Sequence, residues 1–79
     1  NPTTSIKYDL PEDASVSLMI YDITGREIRH LVNETQNAGF KAIMWDGTNN
    51  YGQQVGTGMY LYQIKAGSFV QTRKMILMK

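Results

Sequence analysis

Trp45-Asp46-Gly47-Thr48-Asn49-Asn50-Tyr51-Gly52 runs on through Gly56-Thr57-Gly58 into Met59-Tyr60-Leu61-Tyr62. The stretch joins a strand end, a glycine-rich crossing loop and an aromatic strand. Aspartate-glycine and asparagine-rich runs reach positive φ at low steric cost, and alternating tyrosines suit a half-buried pleated surface. The segment therefore reads as a structural corner built on Trp45, Asp46, Gly47 and Gly52, not as a reaction centre.

Working outward, Ile6, Tyr8 and Leu10 alternate with Lys7 and Asp9 until Pro11-Glu12-Asp13 breaks the pattern, giving a first strand over Ser5 to Leu10. Val16, Leu18 and Ile20 alternate with Ser15, Ser17 and Met19 before an Asp22-Ile23-Thr24-Gly25 turn. Arg26 to Val32 fits a strand better than a helix start, and the polar residues Asn33 to Gly39 read as a loop. Phe40 to Trp45 is a fourth strand. A connection as long as residues 46 to 58 is uncommon in a compact domain, so a short edge strand near Gln53 to Val55 is expected inside it. Met59 to Ala66 and Phe69 to Met78 form a terminal hairpin around Ala66-Gly67-Ser68. The run Met75-Ile76-Leu77-Met78 is apolar on both pleat faces, as in a strand that is central or is covered by something outside these 79 residues. Six or seven strands with turns about every ten residues predict an all-β fold, an immunoglobulin-like or fibronectin III-like antiparallel β-sandwich.

The 79 residues, 42% of them hydrophobic, suffice for one domain. At that size folding buries roughly 60% of the unfolded chain's surface. Residues 1–4 read as the remnant of a linker, since the chain starts at Asn1-Pro2 and not at a methionine; upstream domains of the same polypeptide are the first expected partners. Eight basic and seven acidic residues leave a net charge of +1, far from the basic balance that phosphate-backbone binding requires, so nucleic acid is not an expected partner. No apolar run nears the roughly 20 residues of a membrane span, and no signal segment opens the chain. Cysteine is absent, which removes disulfides, thiolate chemistry and the common zinc sites.

Titratable groups give little purchase for catalysis. His30 is the only histidine, has no serine or cysteine partner at a recognisable spacing, and is expected on a surface or rim. The acidic residues are scattered, and the adjacent pair Glu12-Asp13 sits in a turn where neighbours point apart. Neither an enzyme nor a cofactor is expected. Asp46, Asn49 and Asn50 could offer oxygen ligands to calcium, but the spacing is not that of an EF-hand loop and there is one carboxylate, and these side chains better suit hydrogen bonds to their own backbone. Tyr21, Tyr51 and the Tyr60/Tyr62 strand could stack on sugar, whereas Trp45 is expected between sheets. Arg73-Lys74 with Lys79 could touch an anionic head group, or guard an apolar terminal strand from pairing.

Asn1-Pro2, Ile6-Lys7-Tyr8 with Leu10-Pro11, Val16-Ser17-Leu18 with Ile20-Tyr21-Asp22, and Thr24-Gly25-Arg26-Glu27 form one ordered series. It continues with Trp45-Asp46-Gly47, Gly52, Gly58-Met59-Tyr60 and Lys74-Met75-Ile76-Leu77-Met78-Lys79. In this order the chain resembles the C-terminal sorting domain of type IX secretion cargo, a family that overlaps in sequence with the Ig-like domain of the flagellar hook-capping protein. The resemblance covers essentially the whole chain. It implies a non-catalytic β-sandwich at the end of a large secreted protein, recognised by the outer-membrane translocation machinery. The sorting information would lie in Gly58, Met59 and Tyr60 and in Lys74, Met75, Ile76, Leu77, Met78 and Lys79, with Lys79 a natural C-terminus. The implied location is the cell surface or the medium, reached through the periplasm. A different expectation from the same fold is an assembly module, hook-cap-like or part of an extracellular filament or surface layer, which would self-associate. A sugar-binding appendage of a secreted hydrolase is a third.

Overall fold

Period-two alternation builds each strand. In the computed structural model, which describes residues 3–78, six strands follow in order: β1 (Thr4–Leu10), β2 (Ala14–Asp22), β3 (Glu27–Gln36), β4 (Gly39–Trp45), β5 (Gly58–Ala66) and β6 (Phe69–Leu77). All pair antiparallel: β1 with β4 in one layer, and β3-β2-β5-β6 in the other. The fold is the expected immunoglobulin-like sandwich.

The layers close on Ile6, Leu10, Val16, Leu18, Ile20, Val32, Trp45, Tyr60, Ile64 and Leu77. Leu18, Ile20, Trp45 and Leu77 have no exposed surface, and each such aliphatic or aromatic side chain contributes about 1.5–3 kcal/mol on leaving water. Among the described residues no polar side chain is fully buried, and no buried side-chain polar atom lacks a partner. Hydrophobic burial therefore organises the interior without a polar network.

Several boundaries depart from the sequence reading. Thr4 is not linker but the first residue of β1, paired with Trp45; Asn1 and Pro2 lie outside the described residues. The expected loop at 33–39 is mostly strand. Asn33, Glu34, Thr35 and Gln36 continue β3 opposite Ser17, Val16, Ser15 and Ala14. As an edge strand, β3 can leave Asn33, Glu34 and Thr35 in water, so polarity there did not mean loop. No edge strand forms at Gln53 to Val55, where one isolated bridge joins Thr48 and Gln54. Loop amides are satisfied instead by backbone carbonyls, for Asn49, Asn50, Gly52 and Val55, and by the side chains of Asp46 and Asn49, for Thr48, Tyr51 and Gln53. β6 ends at Leu77 rather than Met78, and it is an edge strand, not a central one, with Ile76 and Met78 57% and 69% exposed.

Candidate functional site

Two regions carry the residues singled out in the sequence, and both lie at one end of the sandwich. The first is the corner. Trp45 ends β4 with its indole in the core and its Nε1–H donating to the Thr48 carbonyl at 2.9 Å. The Tyr60 ring meets it edge to face, and the Tyr60 hydroxyl donates to the Gly56 carbonyl at 2.6 Å. Burial, and secondarily the charge of Asp22, raises the Tyr60 pKa above its ordinary value.

The loop between them is held by short polar side chains. Asp46 Oδ1 accepts from the Thr48 hydroxyl at 2.6 Å and the Thr48 amide at 3.1 Å, and these bonds, the hydroxyl first, lower the Asp46 pKa. Asn49 Oδ1 accepts from the amides of Tyr51 and Gln53 at 2.9 and 3.0 Å. Asn50 Oδ1 reaches across to the His30 amide at 2.8 Å, while Arg29 donates to the Thr48 hydroxyl and the Asn49 carbonyl. Gly47 and Gly52 take φ of 79° and 78°, as the turns require. The three oxygens considered for calcium are thus engaged with separate amides. Among the described residues no group of three or more histidine, cysteine, aspartate or glutamate side chains converges.

The second region is the end of the β5–β6 hairpin. Gly58 pairs with Leu77, Met59 with Ile76, Tyr60 with Met75 and Leu61 with Lys74. The two segments implicated by resemblance, far apart in sequence, are therefore one hairpin end. Their side chains divide between two jobs. Tyr60 and Leu77 are buried, with Met75 packed against the core. Met59, Lys74, Ile76 and Met78 are exposed; Lys79 lies outside the described residues. Arg73 and Lys74, adjacent in one strand, point to opposite faces of the sheet, so among the described residues these two do not form one basic patch.

The aromatic candidates for sugar do not share a plane. Tyr60 is interior, Tyr62 lies partly buried on the inner face of β5, Tyr21 sits on the opposite face of its sheet, and Tyr51 is 88% exposed in the loop.

Sequence reasoning missed one contact. Ser17 Oγ and His30 Nε2 are 3.0 Å apart on the open outer face of the larger sheet. Ser17 pairs with Asn33 and Met19 with His30, so the contact is diagonal and depends on a register shift at Leu18/Met19. No spacing rule would reveal it. Among the described residues no carboxylate hydrogen-bonds His30, which leaves the pair without the orienting acid of a nucleophilic triad.

A family model described as the FlgD Ig-like domain matches residues 2–68. Among solved structures, FlgD from P. aeruginosa is similar over 95% of this chain, with 25% identity and a TM-score of 0.75. The match spans 58% of that FlgD chain. No curated protein matches.

Proposed function

The chain belongs to the FlgD Ig-like domain family, and from that premise we propose that it is a non-catalytic assembly module. It holds neighbouring subunits of an exported structure together, in the manner of a hook-capping protein. One observation carries the reading: large apolar side chains are exposed on both outer faces. On the β1–β4 layer, Phe40 is 89% and Met44 62% exposed, both on the side of β4 away from the core. On the other layer Met59 and Ile76 form a cross-strand pair, 48% and 57% exposed, with Ile23, also exposed, just past the end of β2 at the same end of the sheet. Apolar patches on opposite faces let one domain contact two neighbours, the geometry of a stacked assembly.

Sedimentation velocity over a concentration series tests this. Growth of species larger than dimers is the expected result; Phe40→Ser/Met44→Ser and Met59→Ser/Ile76→Ser should each stop growth at the dimer. A strictly monomeric domain up to millimolar concentration would overturn the reading.

A second reading, the sorting address, is favoured by the register that places Gly58-Met59-Tyr60 beside Met75-Ile76-Leu77 on an edge hairpin open to strand addition. It supplies secretion machinery as the partner, and the cell surface or medium as the destination. Translocon-dependent export of a periplasmic reporter fused ahead of the domain supports it, and retention of the folded fusion excludes it.

A further inference from the structure

The outer face of the larger sheet carries charge in an order that selects its partner. Strand alternation puts Tyr21, Leu61 and Lys74 on the side of the sheet away from the buried Ile20, Tyr60 and Leu77. They stand in one row, because Tyr21 pairs with Leu61 and Leu61 with Lys74, and Glu27 closes the row on the other side of Tyr21. Across β3-β2-β5-β6 the row therefore reads acid, aromatic, aliphatic, base. Glu27 and Lys74 are both exposed, and among the described residues neither forms an ion pair. Three strand spacings, about 14 Å, keep them from meeting each other within one copy. One row nearer the corner lies the exposed pair Met59 and Ile76, with Ile23 just past the end of β2.

Resting on the assembly reading above, we propose that the partner of this face is the same face of a second copy, related by a two-fold axis that runs along the strands between β2 and β5. The charges choose the axis. Rotation about a line along the strands exchanges the two edges of the sheet, so Glu27 of each copy faces Lys74 of the other, and Tyr21 packs on Leu61. Rotation about a line across the strands would set Glu27 on Glu27 and Lys74 on Lys74, and like charges face to face repel. The first axis also leaves the strands of the two copies nearly aligned, within about 30° and about 10 Å apart, as stacked sheets ordinarily pack. Lys65, also on this face, falls opposite the residue it pairs with in its own sheet, Ser17, and so meets no cation. Met59 comes to the β2 side of the second copy, where Ile23 is exposed.

This contact sets the repeat of the assembly. The exposed Phe40 and Met44 lie on the other layer, so the pair carries them on its two far sides, pointing apart. A stack then alternates two self-complementary contacts, and its repeating unit is two copies.

The test is charge reversal in the Phe40→Ser/Met44→Ser background, where this face is the one left to hold a dimer. Glu27→Lys and Lys74→Glu, made separately, each turn two attractions into two repulsions while moving the net charge in opposite directions. Sedimentation equilibrium at low salt, where exposed charges are least screened, should show each dimer weakened about fivefold or more. An equimolar mixture of the two variants should recover the background affinity, because the lysines of one then face the glutamates of the other. The double reversal Glu27→Lys/Lys74→Glu should recover it as well. Reversals that leave the dimer unmoved, or a mixture that stays weak, overturn the two-fold contact, while growth of the wild type keeps the assembly reading standing. A monomeric background beside a wild type that grows means that the two faces bind each other head to tail, and also overturns it. A wild type that stays monomeric overturns both.

Discussion

The Trp45 ring meets Tyr60 edge to face, with centroids 5.1 Å apart and planes at 75°. The contact ties the last residue of β4 to β5 in the opposite layer, and both residues then donate to the intervening loop, at Thr48 and Gly56. Trp45 thus couples the two layers to the corner. Trp45→Ala should cost about 3–5 kcal/mol, the usual range for emptying a buried large aromatic site. Tyr60→Phe keeps the ring and removes one hydrogen bond, for a loss of about 0.5–1.5 kcal/mol. Urea denaturation followed by circular dichroism checks both; equal losses would mean that the hydroxyl, and not ring packing, secures the corner.

Asp22 sits at the β2–β3 turn with its Oδ1 accepting from the Thr24 hydroxyl and amide and from the Arg26 amide. The Thr24 hydroxyl is the largest cause, followed by the Arg26 amide, and together they bring the Asp22 pKa down from 3.8 to about 2. A carboxylate depressed on folding stabilises in full above its unfolded value and loses that contribution as pH falls through the folded one. Its share of stability should therefore drain between about pH 4 and pH 2. Carbon-detected NMR titration should place the Asp22 midpoint near 2, and Thr24→Val should move it upward. A midpoint unmoved by that change would show the hydroxyl bond to be idle.

Gly47 and Gly52 share a positive φ but not an environment. Gly47 is buried, while Gly52 is exposed and a methyl there would meet nothing within 4 Å. Alanine at either should cost about 1–2 kcal/mol for the left-handed backbone. Asparagine tolerates that conformation, so Gly52→Asn should recover most of the loss and Gly47→Asn should not. Denaturation midpoints of the four variants decide it, and equal recovery at both sites would show that burial at Gly47 adds nothing.

The corner was readable from sequence because its signal is local: glycine at each strained φ, and aspartate and asparagine bonding amides two to four residues on. Strand identity was readable wherever one face is dry. It failed where both faces of a strand are wet, as at Asn33 to Thr35, because an edge strand needs only backbone partners and there gives no hydrophobic alternation. The apolar run Met75 to Met78 misled for the converse reason. Leu77 and Ile76 are chemically alike, but one is fully buried and the other 57% exposed. What lies beyond β6 is a property of sheet order, which no local pattern contains. The Ser17–His30 contact was hidden by a bulge, and the row from Glu27 to Lys74 by the order of the strands. Both are consequences of pairing.

Leu77 and Ile76 also decide how recognition through the terminal hairpin must be tested. Removing residues 74 to 79 takes away Leu77 from the core and the partners of Gly58, Met59, Tyr60 and Leu61. Such a truncation unfolds the hairpin, so lost export or lost assembly would not separate recognition from folding. Ile76→Ser and Met78→Ser change exposed side chains only, and substitutions at such positions usually alter stability by no more than about 0.5 kcal/mol. If the hairpin end is a contact surface, the double variant should keep the wild-type denaturation midpoint while losing export of an attached reporter, or association beyond the dimer in the ultracentrifuge. Leu77→Ala should instead lower stability by about 2–5 kcal/mol and impair function only as far as it unfolds. Full function in the folded double variant would move the contact surface elsewhere, with the Phe40–Met44 face the next to substitute.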